Sequence, residues 1–460
     1  MKKENKKTSV ERKNKKVNYE EEKRQNDVEV MTSTLLYDTH EKPPIAKWII
    51  LAIQHVFAMF GATILVPILV NQAAGTEVLT IPVALVTSGI GTLIYILCTK
   101  GKSPVYLGSS FAFITPIAVA FAKSGTSGYA TGIIAVGLIY ILFAILIKFF
   151  GTKWIDRLLP PIVIGPMIMI IGLSLAPSAV GQIGLSGDAL VWKNILVALI
   201  AFLTTAVVSI GAKGFFKIIP FLVGIFAGYL ASVCFGLIDF SGVSDASFFA
   251  LPKFLLPIKD YTFSLSGLLT IAPIALVTIA EHIGDHMALS TIINKNLIKS
   301  PGLSRTLLGD GLATSVAGLL GGPANTTYGE NTSVVGMTKV ASVWVIGLAA
   351  IIAICMGFLG KLTAIISTIP NPVLGGVSLL LYGFIAVNGL KVIVQNKIDF
   401  NDLRNVVIAS VMLVLGLGGA ILTIQTGDVS VSFTGMSLAA IIGIILNLIL
   451  PKTKEAKLKK

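Results

Sequence analysis

The chain has 460 residues, 54% of them hydrophobic and only 13% charged, with a mean hydropathy of +0.85. A soluble domain carries about 25% charged residues, so this composition leaves too little polar surface to coat a large globule in water. The net charge of +13 is not the signature of a nucleic-acid binder, because its clusters are a mixed-sign start, MKKENKKTSVERKNKKVNYEEEKRQ, and a lysine-rich end over 451–460.

Residues 1–45 lack an apolar core and so are not a signal peptide; they are expected to be a disordered cytoplasmic tail. From residue 46 to 450 apolar blocks recur with short breaks, many near the roughly 20 residues that cross about 30 Å of hydrocarbon as helix. They predict fourteen spans, at 46–70, 78–98, 105–122, 128–147, 155–176, 194–211, 216–236, 266–290, 303–320, 326–338, 341–359, 370–390, 404–423 and 435–450. The expected fold is an all-α polytopic membrane protein. Basic loops mark the cytoplasmic side. Lys100 and Lys102, then Lys148, Lys153 and Arg157, then Lys213 and Lys217 fall in alternate loops, as do Lys295, Lys299 and Arg305, Lys339, and Lys391, Lys397 and Arg404. The loops between them are poor in lysine and arginine, so both termini are expected in the cytoplasm. Cys98, Cys234 and Cys355 have no metal-like spacing and read as small apolar residues. No metal ligand set is expected.

Particular spans carry polar residues. In the first, Gln54 and His55 stand in WIILAIQHVFAMFGATILVP; His55 reads as a structural hydrogen-bond link or, less readily, as a solute contact. The third opens with YLGSSFAFITP (106–116), whose Gly, Ser, Thr and Pro favour extended backbone. Such backbone survives at membrane depth only where protein or a polar cavity satisfies it. Phe111 within it is either a packing residue or an aromatic face for a planar ring. In the eighth, Glu281 and Asp285 lie four apart and so share a helical face, with His282 and His286 on the neighbouring face. Intramembrane acids are functional candidates by default, and two close carboxylates cannot both ionise cheaply. Asp310, near the start of the ninth span, reads as an interfacial capping acid. The tenth opens with GGPANTTYGEN (321–331), a second extended segment that ends at Glu330, where a half-helix begins and backbone N–H groups are free.

LPPIVIGPMIMIIGLSLA (159–176) aligns without a gap on IPNPVLGGVSLLLYGFIA (369–386), pairing Pro160 with Pro370, Val163 with Val373, Gly165 with Gly375 and Ala176 with Ala386. These are the fifth and twelfth spans. A repeat of seven spans, an odd number, sets the two halves upside down relative to one another, the arrangement of alternating-access transporters with a midplane site. The extended segments of spans 3 and 10 occupy corresponding places in the two halves. The chain offers no nucleophile–base pair or phosphate loop, so an enzyme is not expected.

The segments QHVFAMFGATILVP (54–67), YLGSSFAFITP (106–116), AEHIGDH (280–286), NKNLIKSPGLSRTLLGDGLAT (294–314), NTTYGENTSVVGMTKV (325–340) and IPNPVLGGVSLLLYG (369–383) together resemble the nucleobase–ascorbate transporter family, also called nucleobase:cation symporter family 2, and within it the bacterial uracil carriers. The resemblance covers about residues 46–450. The family signature reads here Glu330, Asn331, Thr332, Ser333, then Thr338 and Lys339, with Ser333 in place of the usual Gly. The resemblance implies two inverted seven-span repeats. It implies a core domain, spans 1–4 (46–150) and 8–11 (263–360), and a gate domain, spans 5–7 (151–262) and 12–14 (361–450), that forms a homodimer, with 451–460 as a basic cytoplasmic tail. It implies proton-coupled uptake of a nucleobase, uracil foremost, across the bacterial inner membrane, with no cofactor beyond the co-transported proton and no nucleic-acid partner. Glu281 and Glu330 are expected to accept from ring N–H groups, and the backbone amides of Gly329 and Phe111 to donate to ring carbonyls. Glu281, Asp285 and His286 are the expected proton-coupling residues, and Gln54, His55, Asn331 and Thr338 the supporting ones. A purine carrier, for xanthine or urate, is the alternative; such members often have Gln at the Glu330 position.

Overall fold

In the computed structural model the described residues are 35–186, 190–255, 262–426 and 429–451. The expected terminal tails, over 1–34 and 452–460, lie outside them. In chain order the helices are α1 (Ile45–Ala74), α2 (Ile81–Cys98), α3 (Ile114–Phe150), α4 (Lys153–Leu158), α5 (Pro161–Leu173), α6 (Ala176–Ile183), α7 (Trp192–Gly211), α8 (Pro220–Cys234) and α9 (Ser241–Asp245). They continue as α10 (Leu265–Ile271), α11 (Ile274–Ile293), α12 (Leu303–Leu320), α13 (Gly329–Thr338), α14 (Val343–Gly357), α15 (Gly360–Ser367), α16 (Asn371–Gln395), α17 (Leu403–Leu417) and α18 (Gly435–Ile449). Four strands interrupt them: β1 (Leu107–Ser109) before α3, β2 (Asn325–Thr327) before α13, and β3 (Ile421–Thr426) with β4 (Val429–Thr434) between α17 and α18.

Among the described residues, seven helical stretches are long and apolar enough to cross a membrane, and four shorter apolar helices, α8, α14, α17 and α18, have 15 residues each. At 1.5 Å per residue these reach about 22 Å, short of the hydrocarbon thickness. Proline and glycine set most of the breaks. Pro160 and Pro370 both stand in extended backbone immediately before α5 and α16, because a helix start tolerates the missing N–H. The stretch labelled α3 is two helices that meet at a break at Ser124 and Gly125, where Gly125 has φ 57°, so the predicted third and fourth spans stay separate.

One predicted boundary is corrected. The thirteenth span was expected to run to residue 423, but α17 stops at Leu417, and Gly418–Gly419 turn the chain into an antiparallel hairpin with Ile421 opposite Thr434 and Ile424 opposite Val431. ILTIQT and VSVSFT alternate and are rich in β-branched residues, which suits a pleated ribbon, and the glycine pair stops the helix. Residues 35–44, assigned to the tail on sequence, lie against the helical body. Leu36 N–H donates to Lys339 O (2.7 Å), Ala341 N–H to Tyr37 O (2.8 Å) and Val343 N–H to Thr39 O (3.0 Å). Asp38 pairs with Lys295 at 2.5 Å. Burial pulls the Asp38 carboxyl up, but the Lys295 ammonium and the Thr39 N–H outweigh it and hold the group below the usual aspartate range.

The helices pack in two sets. In one, α12 lies along α2 and α3, α10 along α3, and α14 along α1 and α2, enclosing β1 and β2. In the other, α16 lies along α5, α6 and α7, and α17 and α18 pack on each other and on α5. The segments of the sequence repeat therefore meet directly, and glycine permits it. A Cβ on Gly389 would lie 2.5 Å from Gly165 O and 2.6 Å from Met169 N, both main-chain atoms that cannot swing away, whereas one on Gly383, in the same helix, would meet nothing within 4 Å. Gly389→Ala should therefore lower the thermal midpoint of the purified protein, at a cost of roughly 1–3 kcal/mol. Gly383→Ala should hold or raise it, since alanine is the better helix former by about 1 kcal/mol. Size-exclusion thermostability of the two variants checks the opposite signs.

Candidate functional site

The site is built on two strands of three residues. β1 and β2 pair antiparallel, with Leu107 opposite Thr327, Gly108 opposite Thr326 and Ser109 opposite Asn325. Ser110 N–H to Ala324 O (2.9 Å) and Tyr328 N–H to Tyr106 O (3.1 Å) extend the ladder by one bond at each end. All six strand residues are buried. The outer edges still need partners, and short polar side chains of the flanking helices supply them. From α2, Ser88 Oγ donates to Leu107 O (2.7 Å) and Thr92 Oγ1 accepts from Leu107 N–H (2.9 Å); from α12, Thr314 Oγ1 donates to Asn325 O (3.3 Å). Asn325 Nδ2 in turn donates to Thr87 O and Ala313 O, both at 3.3 Å.

Tyr328 crosses the pair. Its hydroxyl donates to Ser109 O (3.0 Å) and accepts from Thr63 Oγ1 (3.1 Å), and its ring lies over Gly108 where any Cβ would collide with it. Each strand then runs into a helix start: a short 3-10 turn, Phe111–Phe113, leading into α3 after β1, and α13 after β2. Neither start has a side-chain cap. Two sets of free N–H groups thus flank the strand pair.

The acids of α11 face β2. Glu281 Oε2 accepts from Thr326 Oγ1 (3.3 Å) and Asp285 Oδ2 from Thr327 Oγ1 (2.5 Å). Adjacent residues of a strand point to opposite faces, but Thr327 ends β2, and the chain turns there toward α13. Gly329 opens α13 and Glu330 stands in its first turn. Glu281, Asp285 and Glu330 are partly exposed and lie within electrostatic reach of one another. Glu330 also lines a crevice between α1, α8 and α16, with Ala58, Gly61, Phe221 and Val377. Phe111 is buried, its ring edge-on to Tyr382 of α16 with centroids 6.0 Å apart.

The supporting residues divide. His55, 1% exposed, receives Asn331 Nδ2 on its carbonyl and on Nδ1, both at 3.1 Å, which ties α1 to the first turn of α13. Gln54 is its neighbour on α1. Thr338 closes the far end of α13, bonded to Val334 O (2.7 Å), eight residues or about 12 Å from Glu330. Ser333 is exposed and donates to Gly329 O (3.0 Å) one turn back. His286 does not join the carboxylates; its bonds go to Tyr95 and to its own helix. Asp310 is a correction: it is not an interfacial cap but lies mid-helix in α12, fully buried, with Oδ2 at 2.9 Å from His282 Nδ1. Sequence reasoning also passed over Thr326, Thr327, Tyr328 and Tyr382. TTY beside two intramembrane acids was a usable signal for the first three; nothing local marks Tyr382, which arrives from a helix some fifty residues on.

The sequence model of the xanthine and uracil permeases, described as "Permease family", matches residues 46–425. The chain belongs to nucleobase:cation symporter family 2. It is 48% identical over 420 residues to the uracil permease of Bacillus subtilis, covering 90% of this chain and 94% of that one. Against the uracil permease of Escherichia coli K12 it is 42% identical over 412 residues, covering 89% and 92%. Among solved structures, the transmembrane domain of the cyanobacterial bicarbonate transporter BicA superposes with a TM-score of 0.56 at 16% identity, covering 86% of this chain and 96% of that one. The anion transporter SLC26A9 does so with 0.60 at 13% identity, covering 88% and 66%. These two likenesses establish a shared fold. This family member is a multi-pass membrane protein and a permease.

The strand pair can be tested through Gly108. In Gly108→Ala the added methyl displaces the Tyr328 ring from Ser109 and Thr63, so solute uptake should fall by at least about tenfold, in line with the loss of one or two buried hydrogen bonds, while membrane expression persists. Wild-type uptake by this variant would show that Tyr328 does not brace the site.

Proposed function

We propose that this chain takes up uracil together with a proton across the bacterial cytoplasmic membrane, by alternating access. The observation that carries the reading is the pairing of β1 with β2, which sets two uncapped helix starts and the acids Glu281 and Glu330 around one spot. Uracil is a flat ring with alternating N–H and C=O groups. Carboxylates accept from N–H, and the amides of Phe111 and Gly329 donate to C=O. The relatives named uracil permease, at 42–48% identity over most of the chain, support this base.

The coupling follows from charge. A neutral base feels no membrane potential, whereas a proton moving with it gains about 2.3 kcal/mol per 100 mV, enough for roughly 50-fold accumulation. Glu281 is the proposed carrier of that proton, with Asp285 one turn away competing for it. The proposed frame is fourteen spans in two inverted halves. The like proline starts of α5 and α16, and the strand-then-helix order of both β1 and β2, support it. The helix set around β1 and β2 is the proposed core and the set around α5 and α16 the proposed gate, which also forms the homodimer. The loop charges support a cytoplasmic side for both termini.

Purified protein in liposomes with an imposed pH gradient tests this. Uracil uptake should follow the gradient and collapse with a protonophore, and Glu281→Gln should lose gradient-driven uptake by about 100-fold or more. Xanthine should not compete. Competition by xanthine at uracil-like concentration would move the reading to the purine carriers, and concentrative uptake by Glu281→Gln would remove the proton assignment.

A further inference from the structure

α11 has a second polar face that the uracil site does not use. His282 and His286 lie on it, both fully buried, with rings stacked at 4.1 Å between centroids. His282 Nδ1 meets Asp310 Oδ2 of α12 at 2.9 Å, while His282 Nε2 and Asp310 Oδ1 have no hydrogen-bond partner among the described residues. His286 Nδ1 lies 2.7 Å from His282 O, a carbonyl that only accepts, so this nitrogen carries a hydrogen. His286 Nε2 is 2.5 Å from the Tyr95 hydroxyl of α2, which is also 2.9 Å from Ser103 Oγ.

These bonds constrain the protons. Tyr95 has one hydroxyl hydrogen and two neighbours. When it is given to Ser103, His286 must donate from Nε2 as well as Nδ1 and is therefore an imidazolium. When it is given to His286, the ring is neutral and Ser103 donates to Tyr95. Two imidazolium charges on stacked rings repel strongly, so the ring pair holds at most one proton beyond those of two neutral imidazoles. With Asp310 ionised, one such proton leaves the cluster neutral, the state that an apolar interior favours.

We propose that His282, Asp310 and His286 form a second proton-holding site of this carrier, from which a proton leaves through the Tyr95 hydroxyl and Ser103 toward the loop after α2. In the step, the Nε2 proton of His286 passes to Tyr95 Oη as the tyrosine's own proton passes to Ser103 Oγ. Ser103 is itself buried, and its own proton leaves toward water on the side of its exposed neighbour Lys102. Rotation of both hydroxyls restores their starting orientation, and His286 regains its Nε2 proton when the same steps run in reverse from water. The inference rests on the proton-coupled reading above. The link to that site is electrostatic: Asp310 acts on both Glu281 and Asp285, and Glu330 of α13 acts on the same two. Among the described residues, the other titratable groups facing the cluster are Tyr140 of α3, which feels Asp310 and Glu281, and Cys98 beside Tyr95 on α2.

The test separates net proton movement from solute movement. Tyr95→Phe removes only the hydroxyl, and Ser103→Ala is a second, independent break. In liposomes, uracil uptake driven by a pH gradient should fall by at least about tenfold in each, while uracil counterflow at equal pH on both sides, which needs no net proton release, stays at the wild-type level. Equal loss of both activities would assign the cluster a purely structural role and overturn the proposal, as would unchanged gradient-driven uptake in both variants. A wild-type protein indifferent to the gradient would instead overturn the coupled-carrier reading, and this inference with it.

Discussion

Extended backbone inside an apolar slab must find a partner for every N–H and C=O, and the rest of this structure is arranged around that requirement. Each unpaired group in hydrocarbon costs several kcal/mol. Here two three-residue strands meet each other on one edge, and Ser88, Thr92 and Thr314 meet part of what remains. The side chains doing this are small and already on helices, so satisfying the strands adds little ordering entropy. The strand pair in turn fixes where Phe111–Phe113 and α13 begin. Their exposed N–H groups are as much a product of the pairing as the strands themselves.

α11 is the other organising element. A spacing of four repeated twice, Glu281 with Asp285 and His282 with His286, gives one helix two polar faces about 100° apart. One face bonds the threonines of β2, and the other bonds α12 and α2. A rotation of this helix would disturb both at once. That makes α11 the physical connection between whatever binds at the strands and the buried histidine cluster, with no further relay required.

Much of this was legible from residue types alone. Gly, Ser, Thr, Asn and Pro at 106–116 and 321–331 predicted extended backbone, and strands stand there; Glu281 and Asp285 were singled out because carboxylates are rare in apolar runs. The missing parts share one cause, which is that local spacing cannot report a tertiary neighbour. Asp310 looked like a cap because it lies one to two turns into a helix, and only the packing of α12 on α11 places His282 beside it. His286 was placed on the face next to the carboxylates, but spacing along one helix could not show that Tyr95 of α2 meets it there. The β3–β4 hairpin was hidden by apolar residues that satisfy a span count as readily as a ribbon, with Gly418–Gly419 the one local clue. Residues 35–44 read as tail because they are polar, but their main chain pairs with 339–343.

The central claim is that the strand pair and the acids beside it hold one flat ring between them. A cryo-electron microscopy map of the protein with uracil tests it most directly. The account predicts planar density in contact with both Glu281 and Glu330 and bounded by the starts of the Phe111 and Gly329 helices. Ring density out of reach of either carboxylate, with the strand pair unoccupied, would contradict it.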